Sequence, residues 1–351
     1  MHIGSTSRVL IGMMAGLLVS QGIAQAQFDK GAPPGTPGHE IIHLKGDLYR
    51  FRQVRHYGMF LHTPEGIILV DPANTEAAKW LKAEFARRFK VPVKYVIYSH
   101  AHNDHASGGE VFADTATFVA HENMAKNLVP PADGAPLLPR EALWDKNGNG
   151  GIEQTEAPAG MAKEFAKLDL DRNGRLSRKE IWTIRFGNGG QSAPPNIVFR
   201  DFASIKLGGK TVELHYTGLN HTDDMAVVRF PEQRIIYTVD HLTPKRLPRG
   251  DLDGGFLPEW LDSLKRIEQL DFDYVSPGHE SVGPKADVSE QVRYMSDLIK
   301  AVSEGIAAGK SEAELVKSVR LEQYSHLLEY EMSRASNVAG AYEMLTARRR
   351  K

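Results

Sequence analysis

The chain has 351 residues, 25% of them charged, a formal net charge of -1 and no cysteine. That length and balance describe a globular protein with room for a sizeable core, and the near-zero charge offers no basic surface for nucleic acid or any other polyanion. Without cysteine there are no disulfides and no thiolate metal sites, so stability rests on core burial and on any metal that nitrogen or oxygen donors can hold.

Residues 9–26, "VLIGMMAGLLVSQGIAQA", carry no charge, follow Arg8 and end in Ala24-Gln25-Ala26, the small-residue pattern of a signal-peptidase site. The uncharged apolar core, about eleven residues, is short of the ~20 that span a bilayer. The reading is a signal peptide over residues 1–26, cleaved after Ala26, which directs the mature protein to the periplasm or the exterior with no membrane span left. Residues 27–39, "QFDKGAPPGTPGH", form a glycine- and proline-rich lead-in, and the folded domain is expected from about Glu40.

From there, "EIIHLKGDLYRFRQVRHYGMFLHTPEGIILVDP" reads as short β-runs broken by Lys45-Gly46-Asp47 and Pro64-Glu65-Gly66, a meander with tight turns. Residues 75–89 take helical spacing. "VKYVIYS" is a buried strand whose C-terminal end delivers "YSHAHNDHASGG" into a loop, where functional residues concentrate.

Residues 128–195 differ in character, with proline clusters at both edges, and are read as an insertion. Strands resume in "NIVFRDFASIKLGGKTVELHYTG", "DMAVVRFP" and "RIIYTVD"; a helix over about 257–270 and a strand at "DYVSPG" follow, and residues 288–349 are mostly helical. Mixed strands and helices in both halves predict layered sheets with helices outside.

The motif packs His100, His102, Asp104 and His105 into six residues. Two histidines separated by one residue at a strand end can turn both rings toward one ion, and the carboxylate with the third imidazole can hold a second; imidazole nitrogen suits zinc and similar transition metals. Four ligands in one loop cannot close two metal shells, so further donors are required. His221 in "GLNHTDDM", Asp240 in "IIYTVDH" and His279 in "SPGHE" follow in order, each beyond a predicted strand or in a turn.

This order and spacing resembles the metallo-β-lactamase superfamily of metal-dependent hydrolases, with its HxHxDH motif followed by a His, an Asp and a final His. The flanking words "GIILVDP" and "SPGHE" agree. The resemblance covers about residues 40–121 and 196–300. It implies a domain made of residues 40–127 and 196–351 with a four-layer αββα sandwich, an α/β (α+β) fold, the C-terminal helices added outside. It assigns His100, His102 and His221 to a first zinc, Asp104, His105 and His279 to a second, and Asp240 to a bridge between them. Asp71 would orient a ligand from behind, a common use of carboxylates beside metal-bound imidazoles. The aspartate at the bridging position resembles glyoxalase-type thioesterases and lactonases more than antibiotic-cleaving members.

The mechanism that follows is attack on an ester, lactone, thioester or amide (β-lactam) carbonyl by a hydroxide bridging the two ions, with Asp104 and Asp240 orienting it. Two other readings keep much of the pattern: a mononuclear iron persulfide dioxygenase, and a calcium-dependent binding protein whose metal site is vestigial. His56, His62, His215 and His241 match no family position and are read as structural or supporting; in an extended stretch His241 should point away from Asp240. Lys245, Arg246 and Arg249 are read as a solvated loop face, with contact to an anionic substrate as the other reading.

Within the insertion, "DKNGNGGIEQTE" (145–156) and "DLDRNGRLSRKE" (169–180) both match the twelve-residue EF-hand calcium loop. Asp145, Asn147, Asn149, Gly151, Glu153 and Glu156 take positions 1, 3, 5, 7, 9 and 12 of the first; Asp169, Asp171, Asn173, Arg175, Ser177 and Glu180 take those of the second. Ile152 and Leu176 occupy position 8, where paired loops touch. The expectation is one or two calcium ions clipping together an inserted helical EF-hand pair, preceded by a short helix over about 139–144, with the insertion walling the substrate cleft.

Overall fold

The computed structural model describes residues 38–187, 192–252 and 255–349. The signal-peptide reading and nearly all of the lead-in lie outside the described residues. Among those described, no helix is long and apolar enough to cross a membrane.

Two sheets form the centre. The first runs, in spatial order, β1 (His39–Lys45), β2 (Leu48–Gln53), β3 (His56–Thr63), β4 (Gly66–Val70), β5 (Val93–Ile97), β6 (Thr117–His121) and β7 (Ile197–Phe199). β1 to β4 are the expected antiparallel meander; β4 to β7 pair in parallel. The second contains β8 (Phe202–Leu207), β9 (Lys210–Tyr216), β10 (Ala226–Phe230), β11 (Ile235–Val239), β12 (Tyr274–Pro277) and β13 (Gly283–Pro284), ordered β13-β12-β11-β10-β9-β8, with only β11 and β12 parallel.

The two-residue period of a strand decides which side chains fill the sandwich. Met59 and Leu61 of β3 and Ile68 and Val70 of β4 point inward to meet Val228, Phe230, Ile235 and Tyr237 of the opposite sheet. The alternate residues Phe60, Ile67 and Leu69 point outward beneath α1 (Thr75–Arg88), which buries Ala77, Ala78, Leu81 and Phe85. α1 starts where Asn74 caps it, its side chain accepting from Ala77 N at 2.9 Å. On the far side of the second sheet, Val227 and Ile236 lie under helices of the C-terminal half. These are α6 (Glu259–Gln269), α7 (Lys285–Ala307), α8 (Glu312–Ser318) and α9 (Tyr330–Arg349). Helix, sheet, sheet, helix is the predicted layering. Burying a strand such as β4 on both faces is what makes its sequence, "GIILV", continuously apolar.

The short helices are α2 (Asn103–Ala106), α3 (Glu122–Asn127), α4 (Ala159–Leu168) and α5 (Arg178–Trp182). Within the insertion the two twelve-residue loops face each other through a two-bond antiparallel bridge, Ile152 N to Leu176 O at 3.1 Å and Leu176 N to Ile152 O at 2.8 Å. Both side chains are buried with Trp144, Phe165 and Ile181 in a small separate core. The helix expected before the first loop is only a 3-10 turn, Glu141–Leu143, with Leu138 N donating to the Glu141 carboxylate at 2.8 Å ahead of it. After α5 the chain winds into a π-type turn, Thr183–Gly187, which leads back to the main body.

Candidate metal centre

Four strands end at one edge of the sandwich. β4 releases Asp71, β5 releases the motif, β11 releases Asp240 and β12 releases His279; the β9 to β10 connection supplies His221. The carboxyl ends of parallel strands open outward from a sheet, so a site there is assembled from loops on a rigid base. The backbone is forced where it turns: Asp71, Ala73, Val239 and Glu280 have φ of 52°, 71°, 46° and 67°. A β-branched residue with positive φ is rare, and each such residue costs about 1–3 kcal/mol. The β11–β12 register also shifts between Tyr237 and Val239, and this bulge re-aims the next side chain, Asp240, into the site.

All seven predicted donors converge. His102 Nδ1 and His221 Nε2 lie 3.2 Å apart; Asp240 Oδ2 is 3.6 Å from His100 Nε2 and 3.8 Å from His221 Nε2. On the other side Asp240 lies 3.3 Å from both His105 Nε2 and His279 Nε2, while Asp104 Oδ2 is 3.5 Å from His105 Nε2 and 3.7 Å from His279 Nε2. Donors about 2.0–2.2 Å from one tetrahedral ion stand about 3.3–3.6 Å apart, so these spacings fit an ion in each group. The chemistry of the set points the same way. The ring nitrogen His100 Nε2 is buried and makes no hydrogen bond, an arrangement that costs about 1–3 kcal/mol unless something ligates it.

The electrostatics are those of a cation site. Burial, reinforced by neighbouring imidazoles, holds His100 and His102 well below the ordinary histidine range; burial also puts His221 and His279 at about 4. All four are neutral at physiological pH. Burial opposes ionisation of Asp104 and Asp240 as well, but the facing imidazoles outweigh it and keep both carboxylates ionised. His105 behaves oppositely: burial disfavours its charge, yet Asp104, Asp240 and Asp71 together raise it to about 10, a proton standing where positive charge is wanted.

Asp71 sits behind the site as expected, fully buried. Its Oδ1 accepts from Ser99 N at 2.8 Å, its Oδ2 accepts from Ser99 Oγ at 2.6 Å and Tyr237 Oη at 3.0 Å, and Oδ2 lies 3.7 Å from His105 Nδ1. Ser99 Oγ, having donated to Asp71, can accept from His100 Nδ1 at 3.0 Å, which leaves the lone pair on Nε2 facing the site.

Other supports come from residues the sequence did not single out. Buried Arg50 donates to the carbonyls of Pro277 at 3.0 Å and Glu280 at 2.6 Å, fixing the turn that carries His279. Buried Asp224 accepts from Ala101 N at 3.0 Å and from Thr222 Oγ1 at 2.6 Å, tying the His221 loop to the motif; burial pushes its pKa up to about 6. Gly278 is required because a Cβ there would stand 2.7 Å from the His105 ring.

Among the other histidines, His241 bonds Thr238 O at 2.6 Å through Nδ1 and lies 3.4 Å from Thr217 Oγ1 through Nε2. His215 on β9 faces Glu213, and His62 lies against Phe89. His56 stands at the site itself, with Nε2 3.3 Å from Asp104 Oδ2, within the supporting role the sequence left open to it. Arg246 is a correction, since it is buried between Glu280 and Glu329 rather than solvated. Arg249 donates to Glu280 at 3.2 Å and lines a cavity of about 310 Å³ that opens on Asp104, Asp240 and His279.

A second cavity, about 480 Å³, opens on His102 and His221 and is bounded by Trp144, Met161 and Arg185 of the insertion. The insertion is fastened to the centre at three points: the Phe186 ring is 5.4 Å from that of His102, Asn103 Nδ2 donates to Ile184 O at 2.9 Å, and Arg140 Nη1 donates to His221 O at 3.2 Å.

The family model described as the metallo-beta-lactamase superfamily matches residues 54–279, well over half of the chain. The chain belongs to that superfamily. Among superfamily relatives it is similar to a linear primary-alkylsulfatase of Pseudomonas sp. (strain ATCC 19151), 22% identical over 74% of this chain and 49% of the relative. It is also similar to the metallo-beta-lactamase type 2 of Bacillus cereus, 24% identical over 70% of this chain and 74% of the relative. Among solved structures, a stereoselective inverting sec-alkylsulfatase from Pseudomonas sp. superposes with a TM-score of 0.61 at 16% identity, over 86% of this chain and 49% of the other. A metallo-beta-lactamase from Pontibacter korlensis gives a TM-score of 0.50 at 18% identity, over 74% and 99%. The chain thus spans about half the length of the alkylsulfatases it matches. At these identities the structural likenesses establish the superfamily fold.

Proposed function

We propose that this chain is an exported di-zinc hydrolase that cleaves an ester, lactone, thioester or amide carbonyl. The observation that carries the reading is Asp240, whose carboxylate lies between two groups of imidazoles at 3.3–3.8 Å. In this reading His100, His102 and His221 hold one ion, Asp104, His105 and His279 the other, and Asp240 both. Two ions so held would supply a water activated near neutral pH and a Lewis acid for the developing oxyanion. The chain's own contribution is positional. Asp71, through Ser99, fixes the tautomer of His100 and backs His105; Asp104 and Asp240 present carboxylate oxygens that orient the attacking water and take up its proton. Trp144, Met161 and Arg185 wall one side of the cleft, so the insertion is proposed to contribute to substrate choice.

The same reading places calcium in residues 145–156 and 169–180. It is supported by the Ile152–Leu176 bridge and by the grouping of Asp169, Asp171 and Glu180 donor oxygens within 4.8 Å. Export is proposed from residues 9–26 alone, and sequencing the N-terminus of the mature protein tests it. The activity is tested by turnover of lactone, thioester, aryl ester and cephalosporin substrates before and after chelation, with a primary alkyl sulfate included because of the sulfatase relatives. Turnover of a carbonyl substrate, lost on chelation and restored by zinc, is the expected result. Turnover of the alkyl sulfate alone would overturn the carbonyl specificity.

A further inference from the structure

The second donor group extends beyond the residues proposed above. His56 opens β3 with Nε2 3.3 Å from Asp104 Oδ2, and its ring meets those of His279 and His105 edge-on at 4.9 and 6.1 Å. One donor atom each from His56, Asp104 and His279 falls within 4.8 Å of the others. The placement is imposed by the backbone. Val54 turns the chain with φ of 54°, Tyr57 N donates to Gly278 O at 2.8 Å, and the Arg55 carbonyl lies 3.3 Å from His279 Nδ1. The entry to β3 and the turn carrying His279 are therefore locked together, and His56 is presented to the same cavity as Asp104.

We propose that His56 is a further protein donor to the second metal, joining Asp104, His105, His279 and the shared Asp240. This rests on the metal-centre reading above. Its consequence is an unequal pair of sites. The first has three imidazoles and one shared carboxylate, a tetrahedral set; the second has three imidazoles and two carboxylates, a set suited to higher coordination and to ions that prefer it. The competing role for His56 is that of a hydrogen-bond donor that only steadies Asp104, which would leave four protein donors.

Cobalt(II) distinguishes the two, because its visible absorption weakens stepwise from four- through five- to six-coordinate sites and a bound water is common to both cases. Metal-free wild type, His56→Phe and His56→Asn are titrated with cobalt, and release of the second ion to a chelator is timed, with circular dichroism checking each fold. The expected result is a weak band for the second equivalent in wild type, an intensified band in both variants, and release on the order of tenfold faster or more. An unchanged band in the variants, even with faster release, would assign His56 to steadying Asp104 and overturn the proposal. Uptake of fewer than two cobalt ions by wild type would instead bring down the di-metal reading, and this inference with it.

Discussion

Asp71→Asn keeps the shape of a buried side chain while removing its charge, and so isolates what the carboxylate does for the metal centre. The amide oxygen can still accept from Ser99 N. The amide nitrogen, however, would face two hydroxyls, Ser99 Oγ and Tyr237 Oη, and the Nδ1 of His105, where an acceptor now stands. Ser99 must then accept from the amide and point its proton at His100 Nδ1, which moves the His100 proton to Nε2, the atom 3.6 Å from Asp240. One ligand is left in the wrong tautomer and another without its backing carboxylate. Loss of such an outer partner costs 10–100-fold in metal affinity, about 1.4–2.8 kcal/mol each. Two histidines are affected through one residue, so the effects fall short of additive. We expect a total of about 2–4 kcal/mol, roughly 30- to 700-fold in zinc Kd. The metal-free protein should change its melting temperature much less, since burial already disfavours the Asp71 charge and its removal offsets the weakened hydrogen bonds. Zinc competition against a chromophoric chelator, with calorimetry of the metal-free form, makes the comparison. Wild-type zinc affinity in the variant would refute the reasoning.

Four further outcomes are expected. His102→Ala should lower turnover by orders of magnitude while leaving the far-UV circular dichroism nearly intact, because the ring is one of the site's donors and no part of the sandwich core; loss of the fold would make the site structural. In the metal-free protein, His221, His241 and His279 are held at about 4 by burial, so the unfolded chain binds more protons than the folded one between about 4 and 6.5, and stability should fall as pH drops through that window. His105, raised to about 10, retains a proton the unfolded chain has lost, so stability should also decline above about 6.5; thermal melts across pH with and without zinc should show the alkaline decline removed by the metal. Millimolar calcium should raise the melting temperature of wild type and do so less in Glu180→Gln, with an equal shift in both excluding the second loop as a calcium site.

The site was legible where chemistry concentrates in short words. His100 to His105, Asp240 and His279 each follow a strand end whose apolar run was visible, and β4, buried on both faces, announced Asp71 at its close. What remained hidden depends on contacts between distant segments. His56 sits in an ordinary-looking turn, and nothing local signals that Tyr57 bonds to Gly278 and brings its ring against His279. Arg246 read as part of a solvated loop face; Glu280 and Glu329, which pair with it, arrive from two turns later in the chain, one after β12 and one before α9. The helix before the first acidic loop shortens to a 3-10 turn, and the π-type turn that carries Phe186 onto His102 has no sequence signature of its own.

The central claim, two zinc ions in the centre built around Asp240, is tested most directly by elemental analysis of the mature protein purified without chelator. The account predicts two zinc ions per chain, lost together with any hydrolysis on treatment with a strong chelator. About one iron per chain, with no hydrolysis of any carbonyl substrate, would contradict it and point to oxygen chemistry at the same residues.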